Sequence, residues 1–305
     1  MTCRVALVVA WFTLFVGVGA QEGAVSPRAI LSQAREALGG DKRLGAIRTF
    51  VATGRTRQVR GDHLVPIEFE IACELPDKYA RRDEFPVQDA GPTTIGFNGH
   101  VLIQLPPLPL MPARSGGPPP PTAAQGEVAR NARVASLKQD FARWVLGMFA
   151  DSFSGLPLAF AYAGTAEAPQ GQADVLDVTG PADFSARFFV HKTTHVPIMV
   201  SWRAAPVEPP GGGPPPSGAV RGVAPPRVPL SGPALGTPGQ AASPRATGAQ
   251  NAMETRLYFG DYREVDGVLW PFRLRRAVGA DTIEETTFDR FRINPRIDPK
   301  KFESK

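Results

Sequence analysis

Proline decides first what this chain can fold into. Of its 32 prolines, 20 fall in two stretches, 105–125 and 204–250, which together hold 68 of the 305 residues. A proline ring fixes φ and removes the backbone donor, so neither stretch can form the interior of a helix or sheet. Both read as extended surface loops. With these and the apolar N-terminus set aside, about 215 residues remain to fold, which suits a single domain over 21–305 carrying two inserts. The formal net charge of +5 is mild for this length and leaves no nucleic-acid footprint. A monomer is expected.

Arg4 precedes an apolar run over 5–20, interrupted only by Thr13 and ending in Gly17, Val18, Gly19 and Ala20. This pattern predicts a signal peptide over 1–20, cleaved after Ala20, and hence a periplasmic protein. Sixteen residues fall short of the roughly 20 needed to span a bilayer. Cys3 would leave with the leader, and Cys73 alone forms no internal disulfide.

Periodicity places the elements. Ser26-Pro27, then Ile30, Leu31, Ala34 and Leu38, then Gly39-Gly40, spell a short helix with an N-cap, proline at the first position and a glycine stop. From residue 48 the period becomes two, with hairpin turns at Gly61-Asp62 and Asn98-Gly99. Val65, Ile67, Phe69, Ile71 and Cys73 share one face of a strand, and Glu68, Glu70 and Glu74 the other. Val134, Leu137, Phe141, Trp144 and Met148, widened by Val145 and Phe149, mark a long amphipathic helix over 127–153. Strands follow at 188–191 and 196–203, at 255–265 and 268–275 around Asp266-Gly267, and at 282–291. Val268, Trp270, Phe272 and Leu274 again share a face.

About eleven strands and two helices follow from this reading. Eleven strands about 4.8 Å apart and 25 Å long present a face on the order of 1,300 Å², whereas the helices cover roughly 570 Å². An uncovered flat sheet would expose more apolar surface than a soluble chain tolerates. The sheet must therefore curl, leaving either a core filled by its own aromatic side chains or an apolar cavity under the long helix. The fold class is α+β: a curved antiparallel sheet forming an incomplete β-barrel, with an N-terminal helix and a helical lid.

No catalytic or cofactor motif stands out. His191 and His195 straddle a hairpin turn and read as a surface or cross-strand pair, not a metal site. There is no nucleophile elbow and no phosphate-cradling glycine loop. Cys73 lies on a dry strand face and reads as a buried, idle thiol. The adjacent carboxylates Asp83-Glu84 and Glu284-Glu285 must project to opposite faces of their strands, where both read as solvated. No enzyme, cofactor or metal is expected.

Several short motifs resemble the LolA/LolB-like periplasmic lipoprotein carriers and their lipoprotein-sorting relatives. They are the helix ending in Leu38-Gly39-Gly40, the segment Leu75-Pro76-Asp77-Lys78-Tyr79-Ala80-Arg81-Arg82, Phe97-Asn98-Gly99-His100, the run from Phe259-Gly260-Asp261-Tyr262 through Trp270-Pro271-Phe272, Thr287-Phe288-Asp289-Arg290-Phe291, and Asn294-Pro295. The resemblance implies an incomplete barrel with a helical lid and a hydrophobic concave face that accepts acyl chains. The carriers' interior arginine has two candidates here, Arg55 and Arg57. No family residue role transfers further.

The expected function is a carrier or binding protein for the acyl chain of a lipid or lipoprotein. Its cavity would be lined by Val65, Ile67, Phe69, Ile71, Val268, Trp270, Phe272 and Leu274, and covered by Phe141, Trp144, Val145, Met148 and Phe149. The alternative is a cell-envelope interaction module that presents its proline-rich loops to an envelope protein over a filled core. Arg221, Arg227 and Arg245 face only Glu208 within 204–250, which suits an anionic membrane surface.

Overall fold

A computed structural model describes residues 25–60, 63–86, 91–107, 122–168, 171–203 and 253–304. The leader, the Gly61-Asp62 turn and the interiors of both proline-rich stretches lie outside the described residues. Helix α1, Pro27–Leu38, begins after Ser26 with proline in its first turn and buries Ile30, Ala34 and Leu38. Gly39 stops it at φ +132°, and a Cβ there would sit 2.6 Å from the Gly267 carbonyl, so this corner requires glycine. A one-and-a-half-turn helix, α2 (Asp41–Ala46), leads into the sheet.

The strands are β1 Thr49–Arg60, β2 His63–Glu74, β3 Lys78–Glu84, β4 Thr93–Asn98 and β5 Val101–Leu105. After helix α3, Ala123–Phe149, come β6 Ala159–Ala168, β7 Gly171–Gly180, β8 Phe184–His191, β9 Pro197–Arg203, β10 Glu254–Val265, β11 Val268–Val278 and β12 Asp281–Ile293. All twelve join one antiparallel sheet in the order β5-β4-β3-β2-β1-β12-β11-β10-β9-β8-β7-β6. The chain starts in the middle, steps out to one edge, crosses to the other edge through α3, and steps back until β12 pairs with β1. Asn294 fastens that seam. Its side-chain oxygen accepts from Arg48 N (2.7 Å) and its amide donates to the Ala46 carbonyl (3.1 Å). The curved sheet stays open because its edges, β5 and β6, do not pair.

The expected alternation of β2 is observed: Ile67, Phe69, Ile71 and Cys73 are buried, and Val65 is half-buried near the strand's start. Turn residues Asp266 and Gly267, at φ 52° and 78°, close the β10–β11 hairpin in the mirror-image geometry that matches strand twist. Three expectations shift. There are twelve strands instead of about eleven, because the alanine-rich β6 carries little β signal. The Asn98-Gly99 hairpin pairs Asn98 with Val101, so its loop is Gly99-His100.

The long helix runs over Ala123–Phe149 in place of 127–153. It starts earlier because Thr122 and Gln125 cap each other: Gln125 N donates to the Thr122 hydroxyl, and Thr122 N donates to the Gln125 side chain. It stops at Ala150, which turns left-handed at φ 47°. The 105–125 stretch therefore overlaps a strand at its first residue and a helix at its last three. Before residue 141 only Val134 and Lys138 of α3 are buried, whereas every residue from 141 through the cap at 150 is. The second half of α3 lies inside the curve of the sheet.

Candidate functional site

The concave face is packed, and its two ends differ. At the α1 end, Trp270 stacks on Phe291 (centroids 4.7 Å) and meets Phe50 (5.3 Å) and Phe149 of α3 (5.6 Å). Mid-face, Trp144 of α3 lies edge-on to Phe288 (5.8 Å), and Phe141 meets Tyr79 (5.1 Å), Phe97 (5.8 Å) and Phe153 (5.1 Å). Each such aromatic pair contributes about 0.5–1.5 kcal/mol beyond its area. Helix α3 comes this close because residue 147 is glycine. A Cβ there would stand 2.1 Å from Cε1 of Phe259. The Tyr262 hydroxyl lies 2.9 Å from both the Gly147 and Pro197 carbonyls, so its single proton ties α3 to β9 and β10.

The opposite end of the same face is polar. Thr56 and Thr286 hydroxyls meet at 2.9 Å, Gln58 donates to Glu284 (3.0 Å), and Arg81 donates to Asp83 (2.7 Å) and to Thr56 (3.1 Å). The Arg81 guanidinium also lies 4.6 Å over the Phe69 ring. Burial works against the Arg81 charge, but Asp83 and Tyr79 more than offset it, so its pKa is raised. On α3, Arg143 is 8% exposed, pairs with Asp140 (2.8 Å), and lies over Trp202 (4.3 Å) and Phe184 (5.2 Å). Burial depresses the Arg143 pKa, Asp140 raises it, and Arg276 lowers it further.

Strand registers place Leu105 and Arg203, the last strand residues before the prolines of the two stretches, at this polar end. Leu105 pairs with Thr94 beside the β3–β4 connection, and Arg203 pairs with Glu254 next to the ends of β11 and β12. Hollows of about 350 and 620 Å³ on the sheet's surface are lined by charged strand residues, among them Arg55, Glu68, Arg82 and Glu84 in the first and Asp177, Arg187 and Arg203 in the second.

No protein-family model matches the chain, and no curated protein matches it. Solved structures do. A LolA superfamily protein from Nitrosomonas europaea is 12% identical over 92% of this chain and 99% of that one, at a TM-score of 0.49. An outer membrane lipoprotein-sorting protein domain from Vibrio parahaemolyticus is 7% identical over 91% and 97% (TM-score 0.45), and a DUF1329 family protein from Desulfovibrio piger is 8% identical over 92% and 98% (TM-score 0.43).

The residues expected to form cavity and lid come together, except Val65, which is half-buried and stands outside the packed cluster. Ile67, Phe69, Ile71, Phe141, Trp144, Val145, Met148, Phe149, Val268, Trp270, Phe272 and Leu274 are buried, and all but Ile67 belong to one packed cluster. The candidates for an interior arginine do not. Arg55 and Arg57 are exposed, and Arg55 pairs with Asp289 at 3.4 Å on the convex side. Among the described residues, Arg81, Arg143 and the half-buried Arg276 carry guanidiniums on the inner side. Arg81 was legible as the middle of the alternation Tyr79, Arg81, Asp83, and Arg143 as the one charge within 141–149.

The adjacent carboxylates do project to opposite faces: Asp83 pairs with Arg81 inside and Glu84 with Arg82 outside. Asp83 is bonded and four-fifths buried, however, where solvation had been expected. Cys73 is fully buried, and burial pushes its thiol well above the ordinary value. His191 uses its Nδ1 to accept the backbone N–H groups of Thr193 and Thr194, which organises the β8–β9 turn.

Proposed function

We propose that this is a periplasmic, non-enzymatic carrier or binding protein for the acyl chain of a lipid or lipoprotein, which would lie along the concave face where α3 now packs. The supporting observation is that the sheet's backbone ladder is complete without α3. Apart from packing, few polar contacts hold the helix to the rest of the fold. They include the Tyr262 hydroxyl, Gln139 to the Ala182 carbonyl (2.7 Å), and Arg35 to the Phe149 carbonyl (3.0 Å). Displacing α3 uncovers an apolar face from Ile71 to Leu274 without breaking a strand pairing. An acyl chain would restore the lost burial at about 0.8 kcal/mol per methylene.

Mass spectrometry of lipids that co-purify with the mature chain tests this directly. Retained acyl ligands support the carrier, and a lipid-free protein that also fails to bind added fatty acid overturns it. The filled state of the concave face favours the second reading, an envelope interaction module presenting its proline-rich stretches. That reading expects no lipid and a partner lost on deleting either stretch.

A further inference from the structure

At the polar end of the concave face two guanidiniums keep hydrogen-bond donors that no described residue uses. Arg143 and Arg276 both sit against one ring, Trp202, at 4.3 and 5.9 Å from its centre. Each has a buried Nε–H without a hydrogen-bond acceptor among the described residues. Such a donor left unpaired costs about 1–3 kcal/mol, and more on a charged group. Arg143 has one carboxylate, Asp140, bound through Nη1. Arg276 makes no ion pair among the described residues. Its cross-strand partner Glu284 is engaged by Gln58.

Two guanidiniums against one indole, each with a buried and unused Nε–H, supply the donors of a fork for a planar or tetrahedral anion. The aromatic faces of Trp202 and Phe184 keep the surroundings of low polarity, which strengthens a charged hydrogen bond there. Trp202 and Arg276 are partly exposed, so the rim of the site meets solvent while both Nε–H groups lie below it.

We infer that Arg143 and Arg276, set around Trp202 at the polar end of the concave face, bind one anionic group, a carboxylate or a phosphate. Where the proposed carrier function holds, that group is the head group of an amphiphile whose chain runs beneath α3 toward Trp270. Where it does not, the same fork takes a free anion.

Calorimetric titration of the full chain with dodecanoate, dodecan-1-ol and inorganic phosphate separates these cases. The chain is compared with Arg276→Gln, which changes a half-exposed strand-end residue, and with Arg143→Gln and Arg143→Lys, each checked for folding by circular dichroism. The expected result is that dodecanoate binds about tenfold or more tightly than the alcohol, that Arg276→Gln removes this preference while leaving alcohol binding unchanged, and that Arg143→Lys retains part of it. Phosphate binding that is lost in Arg276→Gln, with neither twelve-carbon compound bound, upholds the anion site and overturns the carrier. Equal binding of dodecanoate and alcohol, unaffected by Arg276→Gln and with no phosphate binding, overturns the anion site and leaves the carrier standing. No binding of any probe overturns both.

Discussion

At the α1 end of the concave face, Trp270 is fully buried among Phe50, Phe149 and Phe291, each approaching from a different element. At the other end the same sheet carries Thr56, Arg81, Asp83, Arg276, Glu284 and Thr286, held by directed hydrogen bonds, with donors left over at Arg143 and Arg276. Dispersion and area hold the first end, which tolerates no missing volume. Charge pairing holds the second, which tolerates loss of volume but not loss of one partner. One open sheet thus combines a dry, rigid floor with a polar rim.

Four changes would break or sharpen this contrast. Trp270→Ala should have the largest effect, about 3–5 kcal/mol in urea unfolding, because it empties the aromatic end. A loss below about 1 kcal/mol would show that this end does not carry the fold. Gly147→Ala should come next, at about 1–3 kcal/mol despite the better helix propensity of alanine, since its Cβ would run into Phe259. Amide exchange should then accelerate over 141–149 while the strand ladders stay protected. Loss of protection in both would mean that α3 is no separable cover.

Asp83→Ala should cost about 2 kcal/mol by stranding Arg81, and Arg81→Met in the same chain should recover most of it. Recovery tests whether the rim obeys pairing instead of packing. Replacing 206–250 by a short glycine-serine linker should change stability by at most about 1.5 kcal/mol, since loop closure depends only on the logarithm of length.

Alkaline pH probes the dry part of the fold separately. Burial raises the folded-state pKa of the Cys73 thiol above its ordinary 9.0 and of the Tyr262 phenol above its ordinary 10.0. The unfolded chain therefore releases these protons first. Their contribution to stability is complete below about pH 9 and is lost as pH rises toward the folded-state values. Cys73→Ala should flatten the decline between pH 9 and 10, and Tyr262→Phe the decline beyond it. A decline that starts below pH 8 would point to other groups.

Local pattern was enough for much of this protein. The two-residue alternation of Val65 to Cys73, the helical stripe from Val134 to Phe149 and the turn at Asp266-Gly267 depend on neighbours in sequence, so each could be read from the chain. The area mismatch between strands and helices could be read too, and it required a curled sheet. Three things were settled only by tertiary contact. Helix α3 fills the curve because Gly147 meets Phe259, a residue far along the chain. Arg81 and Arg143 turn inward, while Arg55 and Arg57 turn outward, because β12, β8 and β9 bring Thr286, Phe184 and Trp202 to the inner face. The ends of the aromatic floor and the polar rim arise from pairing β1 with β12. Side-chain alternation tells which residues share a face, but only the register between distant strands decides which of them meet.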